Sequence, residues 1–215
     1  MATDRGRLIT IEGLDGAGKT TLATGLLAAT RTRGMDVQLL REPGGVQTAE
    51  RIRQLVVDPS LTVSARTEAL LYAAARAQLV EEALQPMLAR GVTVLLDRFV
   101  DSSLAYQGGG RGLGVEAVRA INAFATAGLG PDLTLLLAVA PGTGRARTGD
   151  RGTAADRLEQ ESEPFFARIA DTYAALAAAE PERFRVLDAS QSPADVLAAA
   201  RAAVLPWLDL SSGAG

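Results

Sequence analysis

The run Gly13-Leu14-Asp15-Gly16-Ala17-Gly18-Lys19-Thr20 constrains this chain more than any other stretch. It fits the pattern G-x-x-x-x-G-K-[ST], whose glycines turn the backbone so that successive N–H groups face one anion at the start of a helix. The flanks agree with it. Arg7-Leu8-Ile9-Thr10-Ile11-Glu12 reads as a short buried strand, and Thr21 to Ala29 reads as a helix despite Gly25. The pattern assigns Gly13, Asp15, Gly16, Ala17, Gly18, Lys19, Thr20 and Thr21 to the phosphates of a nucleoside triphosphate. Lys19 reaches the outer phosphates, and the Thr20 hydroxyl holds Mg2+. A glycine-rich turn that matches by coincidence is the competing reading, and the strand and helix on either side weigh against it.

Composition narrows the chemistry. The chain has 215 residues, enough for one large domain, and it contains neither cysteine nor histidine. Disulfides, thiolate metal sites and histidine bases are therefore excluded, and carboxylates or the substrate must handle protons. Lys19 is the only lysine in a chain whose positive charge is otherwise arginine. A net charge of −3 lacks the basic excess of a large nucleic-acid surface. No apolar run is long enough to suggest a signal peptide or membrane span, so a cytoplasmic protein without membrane partners is expected.

Further along, Asp36 to Arg41 reads as a second strand, stopped by Glu42-Pro43-Gly44-Gly45. Arg41 then sits at the carboxyl end of a parallel strand, where open α/β sheets bind ligands, as a candidate for a second phosphate or as a solvated arginine. Ser64 to Arg90 carries a long helical pattern, expected to bend or be interrupted near Pro86. Within it Glu68, Tyr72 and Arg76 share one face, which suits either stacking and edge recognition of a planar base or an ordinary surface helix. Gly91 to Arg98 is a strand ending in Asp97, suited to a Mg2+ water shell, and Arg98, suited to phosphate; a structural salt bridge between the two is the alternative. Phe99 to Gln107, with the glycine run Gly108-Gly109-Gly110 behind it, reads as a pocket wall followed by a flexible segment. Gln107 offers both a donor and an acceptor to a base.

Helical pattern returns over Val115 to Ala127, a strand over Pro131 to Val139, and a helix over Leu158 to Ala178 whose Phe165, Phe166, Ile169 and Tyr173 form a core stripe. Phe184 to Asp188 is a last strand, and a final helix follows Pro193, with Trp207 as packing. Arginine-rich residues 145–157 are the candidate lid, with a solvated charge run as the competing reading. Strands alternating with helices predict a three-layer α/β/α sandwich around a five-stranded parallel sheet, with residues 1–215 forming one domain.

The phosphate loop, without an N-K-x-D or L-S-G-G-Q motif, points to a small-molecule kinase. Lys19, Arg41, Arg98 and a lid arginine exceed what ATP requires, which implies a phosphorylated acceptor. In this light the chain resembles the bacterial thymidylate kinases. The likeness runs from the loop through Arg41-Glu42-Pro43-Gly44-Gly45, Tyr72-Ala73-Ala74-Ala75-Arg76, Asp97-Arg98-Phe99 and Ser102-Ser103-Leu104-Ala105-Tyr106-Gln107-Gly108 to Asp156-Arg157-Leu158-Glu159. It implies a phosphate-loop nucleotide kinase that transfers the γ-phosphoryl group of ATP to dTMP with Mg2+, working as a homodimer. By the same likeness Glu12 positions the acceptor or metal-bound water, while Arg41 and Arg98 grip the dTMP phosphate, in a substrate site that includes Pro43 and Ser102. Tyr72 stacks on thymine, Arg76 and Gln107 read its edge, and Ser103 and Tyr106 line the deoxyribose. Gly16 stands where some relatives place an arginine, so the resemblance assigns that role to the lid: Arg151 in preference, then Arg147, with Arg145 and Arg157 as the other choices. Ala138 departs from an aspartate common in the family. Another pyrimidine nucleotide or deoxynucleoside kinase, or a nucleotide-binding switch without transfer, are the alternatives.

Overall fold

The computed structural model describes residues 5–140, 142–143 and 157–212. Arg145, Arg147 and Arg151, with most of the expected lid, lie outside them. The elements run β1 (Leu8–Gly13), α1 (Lys19–Arg31), β2 (Val37–Arg41), α2 (Gln47–Val57) and α3 (Ala65–Leu79). A π-helical turn at Val80–Leu84 joins α3 to α4 (Gln85–Ala89), and β3 (Thr93–Asp97) follows. Next come α5 (Val100–Ser103) with a π-helical extension at Leu104–Gly110, α6 (Val115–Ala125), β4 (Leu133–Ala138), α7 (Glu163–Ala179), β5 (Phe184–Asp188) and α8 (Pro193–Ser212). The strands form one sheet in the order β2-β3-β1-β4-β5, with every pairing parallel.

A parallel sheet is covered on both faces, so its strands are nearly apolar throughout. Alternation then divides them. Ile9, Ile11, Leu95, Leu135 and Leu137 pack with Leu22 and Leu26 of α1 and Val196, Ala200 and Val204 of α8. On the opposite face, Leu8, Val94 and Leu96 meet the α3–α4 segment, and Leu136 meets Phe165, Ile169 and Tyr173 of α7. The strand residues Thr10 and Glu12 share this second face and are fully buried. The Thr10 and Thr134 hydroxyls pair at 2.8 Å, and Arg183 donates to both Thr134 and Asp101 at 2.6 Å. Trp207 packs against the first core, with the Arg7 guanidinium over its ring at 5.8 Å.

Some expectations change here. Pro86 does not interrupt its helix, because the π-helical turn before it changes the hydrogen-bond register: Gln85 N–H donates to the Val80 carbonyl, and proline falls in the first turn of α4, where its missing N–H is cheap. The segment after Phe99 is helical while also forming the pocket wall. Its glycine run is a site of close packing rather than a loose segment. A Cβ on Gly109 would stand 2.0 Å from Thr172 Oγ1, and one on Gly110 would stand 2.7 Å from the Phe165 ring. The helix expected from Leu158 begins at Glu163, after a turn, with Pro164 in its first turn. Helix α2 has no counterpart in the sequence reading.

Candidate functional site

The carboxyl edge of the sheet collects the charged residues. Register sets Arg41 beside Asp97 and Asp97 beside Ile11, so the ends of β2, β3 and β1 lie side by side, with the phosphate loop leaving β1. Gly13 has φ +138°, and a Cβ there would stand 2.6 Å from the Leu137 carbonyl oxygen, so the loop leaves the sheet only through glycine. Gly18, at φ +95°, opens α1. The Lys19 ammonium is folded back into the loop, donating to the Leu14 carbonyl at 2.8 Å and the Gly13 carbonyl at 3.2 Å. Burial, with Arg98 nearby, lowers its pKa to about 8 against the opposing pull of Asp15, Asp97 and Glu12.

Arg98 is the junction of the site. It holds a left-handed φ of 71°, uncommon outside glycine, and its guanidinium donates to Gly13 O at 3.1 Å, Ser102 Oγ at 3.0 Å, Asp15 at 2.5 Å and the Tyr106 hydroxyl at 3.1 Å. Tyr106 in turn donates to Asp15 at 2.8 Å. Burial acts to raise the Asp15 pKa, but Arg98, Lys19 and these hydrogen bonds outweigh it and hold the carboxyl well below the usual carboxylate range.

Glu12 lies behind this layer. Its carboxylate accepts from Phe99 N at 2.8 Å, Ser102 Oγ at 2.6 Å and the Tyr173 hydroxyl at 2.9 Å. Burial, then Asp101, raises its pKa to about 7, with Ser102, Arg98 and the Phe99 N–H opposing. Glu12 does not line the cleft; it holds Ser102, which Arg98 touches.

Two cavities meet here. A cleft of about 570 Å³ is lined by Pro43, Val57, Tyr72, Arg76, Ser102, Tyr106, Gln107 and Leu158, and also by Asp15, Glu42, Arg53 and Arg98. Those last four also line a polar trough of about 1050 Å³ with Gly16, Gly18, Lys19, Thr20, Thr21, Arg41, Asp97 and Glu159. A third cavity, of about 900 Å³, continues from Gly16, Ala17, Gly18 and Thr21 to Ala189, Gln191 and Val196. Arg76 is almost completely buried. It donates to Glu42 and Ser103 Oγ at 2.8 Å, to the Phe99 carbonyl at 2.8 Å and to Asn122 Oδ1. Glu42 leaves its other oxygen, Oε1, buried without a hydrogen-bond partner. Gln107 donates to Glu68 at 2.9 Å, and Glu68 also carries Arg111 at 3.0 Å and Arg157 at 2.7 Å.

The family model described as Thymidylate kinase matches residues 11–200, which include every described residue of the loop, cleft and trough. The chain belongs to the thymidylate kinase family. A thymidylate kinase of Deinococcus radiodurans is 50% identical over 195 residues, covering 91% of this chain and 94% of the relative. One of Lactobacillus delbrueckii subsp. bulgaricus is 49% identical over 198 residues, covering 91% and 93%. The crystal structure of thymidylate kinase from Ehrlichia chaffeensis superposes with a TM-score of 0.75 at 27% identity, covering 94% of this chain and 99% of the other.

Set against the thymidylate kinase expectations, the structure gathers Asp15, Pro43, Tyr72, Arg76, Arg98, Ser102, Tyr106 and Gln107 around one cleft. Ser103 stands behind that wall, holding Arg76. Arg41 reaches the trough but is engaged by Glu50 at 2.9 Å. Arg157 donates to the Val56 carbonyl at 3.0 Å and is ion-paired with Glu68. Arg53, at the junction of cleft and trough, was missed because α2 was missed. An arginine at alternate positions in Arg51-Ile52-Arg53, just after Gly44-Gly45, was the available signal. Gln191, in the third cavity, carried none.

Proposed function

We infer that this chain transfers the γ-phosphoryl group of ATP to dTMP, giving dTDP and ADP. One observation carries the reading: a cleft with an aromatic and base-edge groups at one end opens, through Asp15, Glu42, Arg53 and Arg98, into the phosphate trough that holds Lys19. Acceptor and donor thus enter from opposite ends and meet phosphate to phosphate, as in-line transfer needs.

In this reading the loop amides from Gly13 to Thr21 and Lys19 cradle the donor phosphates. Lys19 exchanges the loop carbonyls for phosphate oxygens and stabilises the charge that develops on the transferred group. Arg98, with Arg41 and Arg53, grips the dTMP phosphate; Tyr72 stacks on thymine, and Arg76 and Gln107 meet its edge. Tyr106 and Ser102 border the sugar, with Ser103 and Glu12 holding Arg76 and Ser102 from behind. Mg2+ fits the carboxyl edge: Thr20 Oγ1 lies 3.2 Å from Asp97 Oδ2, and Asp97 Oδ1 is buried without a hydrogen-bond partner. A hydroxyl and one carboxylate beside a phosphate trough suit an ion that keeps several waters and binds chiefly to substrate oxygens. It would neutralise charge between the donor phosphates.

No helix among the described residues is long and apolar enough to cross a membrane, and a donor such as ATP suits a cytoplasmic, single-domain enzyme. A homodimer is supported by α3 and α6, which pack together and leave Leu70 (56%) and Phe124 (91%) in solvent. The activity is tested by coupled ADP release with dTMP, dUMP, UMP and CMP as competing acceptors. The highest kcat/KM for dTMP is expected, and ADP release independent of any acceptor contradicts the reading.

A further inference from the structure

Glu68 is fully buried in the first turn of α3, two turns before Arg76 on the same face. Its carboxylate gathers groups from separate parts of the chain. Gln107 Nε2 donates to it at 2.9 Å from the π-helical wall. Arg111, just past that wall, donates through Nε at 3.2 Å and Nη2 at 3.0 Å, and also reaches Glu161. Arg157 stands at 2.7 Å as an ion pair without hydrogen-bond alignment. With two guanidinium groups on it, this carboxylate is an acceptor-only group.

That fixes a choice which an amide side chain otherwise leaves open. Gln107 can face a base with its N–H2 or with its carbonyl, and only the N–H2 end can meet an acceptor-only partner. Glu68 therefore claims Nε2 and turns Oε1 to the other side of the amide, and Gln107 lines the cleft. We propose that Glu68 is a specificity-positioning residue, which sets the Gln107 amide so that the cleft offers a carbonyl acceptor and selects a base whose ring nitrogen carries a hydrogen. This rests on the dTMP reading. Thymine N3–H is such a donor, whereas N3 of cytosine is an acceptor and meets the Gln107 carbonyl lone pair against lone pair. Arg76 lines the same cleft but is held by Glu42, Ser103, Asn122 and Phe99 and not by Glu68, so whatever preference it adds at the exocyclic oxygen is separate from that of Gln107.

The discriminating pair is dTMP against 5-methyl-dCMP, which keeps the methyl group and sugar and differs at N3 and the exocyclic position. Arg76 is the same in every variant compared, so a change in the kcat/KM ratio reports Gln107. In Glu68→Gln the partner can donate as well as accept and no longer dictates the amide. The ratio should fall at least tenfold, chiefly through KM, with 5-methyl-dCMP gaining while dTMP loses. Glu68→Asp keeps an acceptor-only group and should hold the ratio within threefold of the parent. A merely structural Glu68 would lower both substrates alike in both variants, and an unchanged ratio in Glu68→Gln, or an equal collapse in Glu68→Asp, overturns the proposal. Neutron diffraction of the parent chain with dTMP needs no variant to fold: it should find the hydron on thymine N3 pointing at Gln107 Oε1 and an amide hydron of Gln107 pointing at Glu68, and the reverse orientation overturns the proposal. A parent that does not turn over dTMP at all sinks the underlying function instead.

Discussion

Lys19→Met should make the nucleotide-free protein more stable while abolishing transfer. The lysine pKa falls from 10.5 to about 8 in the folded loop, a penalty on its charged form of about 3 kcal/mol at 1.36 kcal/mol per unit. Methionine removes that penalty and the two hydrogen bonds of Nζ, worth about 1 kcal/mol each. Neither carbonyl is orphaned, since Gly13 O keeps Arg98 at 3.1 Å and Leu14 O keeps the Ala17 N–H at 3.2 Å. The variant should thus gain about 1 kcal/mol at pH 7. Between pH 8 and 10.5 the unfolded lysine holds a proton that the folded one has lost, so parental stability rises by about 3 kcal/mol, more than the variant's advantage at pH 7, and the order of the two reverses. Urea unfolding at pH 7 and pH 10 measures both effects, and ATP should raise the parent's midpoint far more than the variant's. Turnover should drop by orders of magnitude. A variant less stable than the parent by more than about 1 kcal/mol at pH 7, or one retaining above about a tenth of the activity, refutes the reasoning.

Glu12→Gln tests the buried carboxylate. With the folded pKa raised to about 7, native Glu12 keeps a proton between pH 4.5 and 7 that the unfolded chain releases, so its contribution weakens as pH rises through that window. Relative to Glu12→Gln, the parent should lose about 3 kcal/mol of stability between pH 4.5 and 8, and parallel thermal-denaturation profiles would contradict this. Arg76→Lys should weaken dTMP binding by roughly 1 to 3 kcal/mol in calorimetric titration and leave ATP affinity nearly unchanged; equal dTMP affinity would remove Arg76 from base recognition. Asp97→Asn should raise the Mg2+ concentration for half-maximal activity by roughly 10–100-fold, and an unshifted magnesium titration would place the ion elsewhere.

What the sequence made legible follows from how local each cause is. The loop from Gly13 to Thr20 and the apolar strands are local patterns, so the sheet and the donor half of the site could be read directly. Spacing along α3 placed Tyr72 and Arg76 on one face, but it could not show that Arg76 is almost wholly engaged by Glu42, Ser103, Asn122 and Phe99. Those partners come from three other segments: the turn after β2, α5 with the residue before it, and α6. Glu12 looked like a site carboxylate because it precedes the loop, yet strand alternation turns it inward, toward Tyr173 from a helix 161 residues away. The glycines at 108–110 read as loose because composition carries no record of α7 pressing on Gly109 and Gly110, or of the start of α6 pressing on Gly108. Helix α2, and Arg53 with it, was hidden by the glycines and proline just before it, which read as a turn.

The most direct test of the account is the fate of the label from [γ-32P]ATP in a single turnover with dTMP and Mg2+. The account predicts that radioactivity appears in the β-phosphate of dTDP, in step with ADP and with little free phosphate. Label released as inorganic phosphate, with dTMP recovered unchanged, would contradict it.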